Sequence, residues 1–365
     1  MILVLLLSIS LLMTYFIGVR QRDVYSYLMV SMTSYIFIFG VMCVGFLLLK
    51  FNGNAELIFP DEMLYANDVT SKLSFAYYVR FFKTYFDLDI VRWINITLFT
   101  ISLAILSSEI VSRLHNKVKQ VTIVLAMFGT IVGGYWSFFI LKEAFSVAAL
   151  SMLIVAYIRR SNSVFLLSAL MLIFARPELL ILYIGVNIAF YIRRKIPFFF
   201  YIGIIGLIFI FILFMNSEYS YSIKLFTLSR RFGEAEFSFD NVAVATSHLP
   251  FFSFIMSEPF RQAIITNFNS TFNPLADFNP LVIFQRIFNI IGFILFLFIL
   301  RKNLMKDKLY TFVFIILIGV LCTHSVYRYF NTILVPFILY FIYLKVSFYN
   351  SEVLSDKSIS DHSRL

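Results

Sequence analysis

An all-α polytopic membrane protein is the fold class this sequence predicts, with about eleven transmembrane helices and two enlarged outward loops. Three observations predict it. Apolar runs of roughly 16–22 residues recur along the 365-residue chain, close to the length a helix needs to cross a bilayer. Of all residues, 61% are hydrophobic, 14% are charged and the mean hydropathy is +0.88, more apolar surface than a soluble domain can cover. Alternate connections between the runs are basic, as orientation signals are.

The first run, "ILVLLLSISLLMTYFIGV" after Met1, has no basic leader and no small-residue cleavage site, so it reads as a retained span at 1–19 rather than a signal peptide. Further spans fall near 27–49, 92–112, 121–141, 143–158, 162–175, 177–192, 196–215, 285–300, 309–323 and 330–347. Residues 163–192 could instead form one helix through "RPE", but that would put two basic clusters on opposite sides. The connections "RQR" (20–22), "RLHNKVK" (113–119), "RR" (159–160), "RRK" (193–195) and "RKNLMKDK" (301–308) hold fourteen Lys and Arg residues. The three short connections on the other side hold one each: Lys142, Arg176 and Arg328. The first set is therefore expected inside, the N-terminus outside and the C-terminus inside. The expected outward loops are 51–90 and 216–283, on a single transmembrane domain spanning 1–348. "FAYYVRFFKTYF" within the first reads as interfacial rather than spanning. The polar residues 349–365 read as a disordered tail.

The net charge of +10 does not point to nucleic acid, because the cations sit in these short loops. Cys43 and Cys322 lie in or beside apolar runs, which argues against a disulfide framework or a zinc site. "NIT" (95–97) and "NST" (269–271) match the glycosylation sequon, the first inside a span.

The outward connections carry the candidate chemistry. "FPDEMLYANDV" (59–69) sets Asp61 and Glu62 side by side, "ILKEAF" holds Lys142 and Glu143, and "FARPELL" places Arg176 and Glu178 around Pro177. The run before Arg176 is about 13 residues, too short to cross ~30 Å, so Arg176 should lie below the outer surface. "CTHSVYRYF" adds His324, Tyr327 and Arg328, and "SRRFGE" adds Arg230 and Arg231. Each has a plain reading as a loop charge, a local ion pair or an interface anchor. Together they assemble carboxylates suited to deprotonating a hydroxyl or holding a divalent cation, and cations suited to phosphate or pyrophosphate. His324 could donate or act as acid or base.

At "FPDEMLY", "KEAF" and "RPELL" the chain resembles membrane glycosyltransferases of the GT-C class, which use polyprenyl-phosphate-linked donors. Its layout is similar to O-antigen polymerases of the Wzy type. The acidic pair here follows the second span, where many GT-C enzymes carry it after the first, and there is no clear RX10G pattern. The resemblance implies a glycosyltransferase of polysaccharide biosynthesis in a bacterial inner membrane, working at the periplasmic face. Arg176, Arg328, Arg230 and Arg231, with Lys142, would hold the donor diphosphate. Asp61 or Glu62 would activate the acceptor or bind a divalent cation, His324 would assist, and Glu143, Glu178 and Tyr327 would support them. The implied partners are a polyprenyl-linked saccharide donor and acceptor, membrane lipids and a chain-length regulator protein, with no nucleic acid. A flippase or transporter, a single-sugar branch transferase, an acyltransferase or ligase, and a structural subunit are the rival readings.

Overall fold

The computed structural model places a helix on every one of the eleven apolar segments. It describes residues 2–51, 60–67, 74–229, 241–276, 279–303, 306–323 and 327–362, and every regular element among them is helical. The helices are α1 (Ile2–Gly18), α2 (Val24–Phe51), α3 (Pro60–Asn67), α4 (Ser74–Tyr85), α5 (Leu88–Val111), α6 (Asn116–Phe138), α7 (Glu143–Arg159), α8 (Asn162–Ala175), α9 (Pro177–Lys195), α10 (Pro197–Met215), α11 (Tyr221–Ser229), α12 (Asn241–Ser247), α13 (Phe251–Met256), α14 (Glu258–Phe272), α15 (Pro280–Asn303), α16 (Lys308–Thr323) and α17 (Tyr327–His362).

The protein is membrane-embedded and multi-pass. Among the described residues, six stretches are long and apolar enough to cross a bilayer: Val24–Gly45, Leu88–Val111, Val118–Phe138, Pro197–Met215, Pro280–Leu300 and Arg328–Val346. Leu5–Gly18, Asn162–Ala175 and Lys308–Cys322 are apolar but shorter. The two remaining expected spans fall on α7, which has 17 residues, and on α9, which ends in Arg193, Arg194 and Lys195. Arg176 separates α8 from α9 because it precedes Pro177, and the proline ring disfavours helical geometry in the residue before it. Its backbone, at φ −153° and ψ 74°, is not helical.

The chain divides into two compact units. The first is Met1–Leu180, Ile291–Lys302 and Asn331–Leu365. Its centre is α5, flanked by α1, α2, α6 and α7, with α8 packed on α7. Leucines cannot hold helices together against lipid, which is equally apolar, so polar bonds and close approach matter. A ladder of hydroxyls supplies the first: Ser10 to Thr97 at 2.6 Å, Ser34 to Thr100 at 2.7 Å and Ser26 to Ser107 at 2.6 Å join α1 and α2 to α5. Glycine supplies the second. A methyl group on Gly133 of α6 would meet the Phe99 ring at 2.6 Å, with Val335 of α17 next to it.

The second unit is Ile181–Ile290 and Asn303–Phe330. Here the long 216–276 connection folds into α11–α14 around Leu228, Ala243, Phe254 and Ala263. Lys224 is buried among them and donates to the Leu249 carbonyl at 2.8 Å; burial holds its ammonium below the ordinary lysine range. Arg286, buried in α15, donates to the Ser270 and Asn273 carbonyls at 2.8 and 3.1 Å and so satisfies the C-terminal end of α14. Asn267 of α14 donates to the Leu321 carbonyl of α16 at 3.1 Å.

Candidate functional site

The helix ends of the first unit sort into two sets. The connections 19–23, 112–115 and 160–161 meet at the C-terminal end of α5 and form the basic-loop end. Residues 60–67, 74–87, 139–142 and 176 belong to the opposite, acidic-pair end. Helices α7 and α8 form a hairpin, and the hydrogen bond from the Ser168 hydroxyl to the Ala149 carbonyl, 2.8 Å, sets its register. That register levels the start of α7 with the end of α8. Lys142, Glu143, Arg176 and Glu178 are thereby brought to one end.

Glu62 joins them through the backbone. The α6–α7 connection is extended at Phe139 (φ −82°, ψ 159°) and buried, so its polar groups need partners inside the protein. The Ile140 N–H donates to Glu62 Oε1 at 2.8 Å. The Asn95 amide of α5 donates to the Phe139 and Leu141 carbonyls at 3.1 and 3.3 Å. Glu62 is fully buried and stands in the first turn of α3, where the helix dipole favours a carboxylate. Asn95, which the sequence presents as a sequon, is a buried holder of the neighbouring connection, whereas Asn269 of the second sequon is exposed.

Aromatic rings press this end together. Phe75 of α4 meets Tyr65 of α3 at 5.2 Å and Phe145 of α7 at 5.9 Å, edge to face. Tyr78 packs on Phe145 at 5.3 Å, and its buried hydroxyl has no hydrogen-bond partner among the described residues. Burial pushes that hydroxyl above the usual phenol range. On the other face of α4, Tyr77, Phe81 and Tyr85 are exposed.

Of the cations, Arg176 is the C-cap of α8, mostly buried, and reaches Glu178 Oε1 at 3.6 Å. Lys142 is half-buried at the N-cap of α7, and Glu143 is buried in its first turn, where the helix dipole favours a carboxylate. Sequence reasoning passed over Arg92. It is buried at the same end, pairs with Asp89 at 2.9 Å and lies 5.8 Å from the centre of the Phe138 ring. A lone arginine beside the aspartates of "DLDIVRW" was the available signal.

Arg328 belongs to the second unit, half-buried over the Tyr329 ring. The side chains of Asp61 and Tyr327 are outside the description, and His324, Arg230 and Arg231 lie outside the described residues. No three His, Cys, Asp or Glu side chains among the described residues come together as a metal site. Compared with protein-family models, curated proteins and solved structures, the chain matches none.

Proposed function

We propose that the protein is a glycosyltransferase of a bacterial inner membrane that acts on polyprenyl-diphosphate-linked sugars at the periplasmic face and extends a polysaccharide repeat. The observation that carries the reading is the gathering of Glu62, Glu143, Lys142 and Arg176 at one end of an otherwise apolar bundle. Charge buried at membrane depth is costly and is kept where a substrate path needs it. The reading takes all eleven apolar helices as spans, with the N-terminus periplasmic and the C-terminus cytoplasmic.

In this mechanism Arg176 and Lys142 bind the donor diphosphate, Arg176 through its planar fork. A carboxylate, Glu62 or its neighbour Asp61, takes the proton of the acceptor hydroxyl as that oxygen attacks the anomeric carbon. The polyprenyl diphosphate leaves with its negative charge held by the cations. The resemblance to GT-C enzymes also assigns Arg230, Arg231 and Arg328 to the diphosphate and His324 to the acceptor step, with Glu178 and Tyr327 in support.

The deciding experiment is gel analysis of surface polysaccharide from a deletion strain, complemented with wild-type or Glu62→Gln protein. Collapse of the ladder to one repeat, restored only by the wild type, is expected. A ladder with altered spacing means a branch transferase, and an unchanged ladder rejects the reading.

A further inference from the structure

We propose that the basic-loop end of the first unit binds the phosphate of an anionic phospholipid headgroup. The site is built on Glu109, a fully buried carboxylate near the C-terminal end of α5. Arg22 from the α1–α2 connection reaches its Oε1 with Nη1 at 3.2 Å. Arg113, just after α5, pairs with the same oxygen, and Arg159 at the end of α7 reaches Oε2 with Nε at 2.6 Å. One carboxylate thus gathers three guanidiniums from three connections.

In these pairs three cations face one anion, and the neighbouring Asp23 carboxylate is turned to the Ser26 N–H at the start of α2. Each guanidinium has five N–H donors and uses one nitrogen on Glu109 in these contacts. The three side chains are 56%, 28% and 31% exposed, so Glu109 holds their inner edges while outer edges reach the surface. A phosphodiester offers the anionic oxygens that such edges bind in pairs. Because Glu109 already orders the arginines, binding need not immobilise three long side chains afresh.

The surroundings select a lipid rather than a free phosphate. Phe16 and Val19 precede Arg22, Val24 and Tyr25 follow it, and all four are exposed, as is Val121 at the start of α6. Acyl chains can lie along these faces while the headgroup reaches the arginines. Basic pockets between membrane helices recognise anionic headgroups in this way. The inference does not depend on the enzymatic reading.

The test uses the full-length protein purified in detergent. Phosphatidylglycerol, phosphatidylcholine or inorganic phosphate is added, and lipid retention by native mass spectrometry is read together with thermal unfolding. Phosphatidylglycerol is expected to be retained at least fivefold better than phosphatidylcholine and to raise the unfolding temperature. Arg22→Gln, on the most exposed arginine, should cut that retention severalfold while the protein still folds. Equal retention of the two lipids, an undiminished signal in Arg22→Gln, or the same thermal shift from millimolar inorganic phosphate would overturn the proposal.

Discussion

Glu62 has two roles that substitution can separate. Its Oε1 accepts the buried Ile140 N–H, and its charge is the proposed base. Glu62→Gln keeps an acceptor oxygen and removes the charge and basicity. The expected outcome is near-normal accumulation and thermal stability with polysaccharide extension lost by tenfold or more, at least about 1.4 kcal/mol of barrier. Glu62→Ala also strands the N–H and should destabilise by about 1–3 kcal/mol as well. If Glu62→Gln extends polysaccharide like the wild type, Glu62 is a backbone anchor alone. Arg176 permits a parallel test. Arg176→Lys retains charge but not the planar fork, and extension should fall tenfold or more at unchanged protein level. Wild-type activity in this variant would make Arg176 merely the cap of α8.

At the scale of elements, close packing and buried charge make separate predictions. Gly133 lets α6 approach Phe99 and Val335, all within one unit. Gly133→Val puts a branched side chain into that contact and should lower stability by about 1–3 kcal/mol, read as a drop in unfolding temperature. The α11–α14 cluster carries a pH signature. Lys224 has a lowered folded-state pKa because it is buried, so the unfolded chain binds more protons than the folded one between that value and the ordinary ~10.4. Stability should rise as pH climbs through this window, and the gain is absent below the folded pKa. Lys224→Met should flatten the slope in thermal unfolding followed across alkaline pH; an unaltered slope would place its origin elsewhere. The break between α8 and α9 is the element feature most legible from sequence, since Pro177 acts on its immediate neighbour and needs no tertiary context.

For the molecule as a whole, orientation is the decisive expectation. A reporter fused near Asn303 should read cytoplasmic and one within 216–276 periplasmic. Both on one side would sever the acidic-pair end from the face where the donor is presented. The apolar runs, the interruptions at "KE" and "RPE", and the basic connections were enough to infer a membrane-embedded helical protein and the breaks between α6 and α7 and between α8 and α9, but not the extent of α17, which runs past the expected span to His362. Those features act over a few residues, through the hydrophobic requirement of a bilayer and the local geometry of proline. What only the tertiary structure decided are pairings between distant residues. Glu109 lies 87 residues from Arg22 and 50 from Arg159, and nothing in "SSEIVSRL" shows that three basic loops converge on one carboxylate. Asn95 reads as part of a sequon until α5 is set beside the connection after α6. Such partnerships depend on which helices pack and in what register, and register is a property of the folded bundle that no local pattern carries.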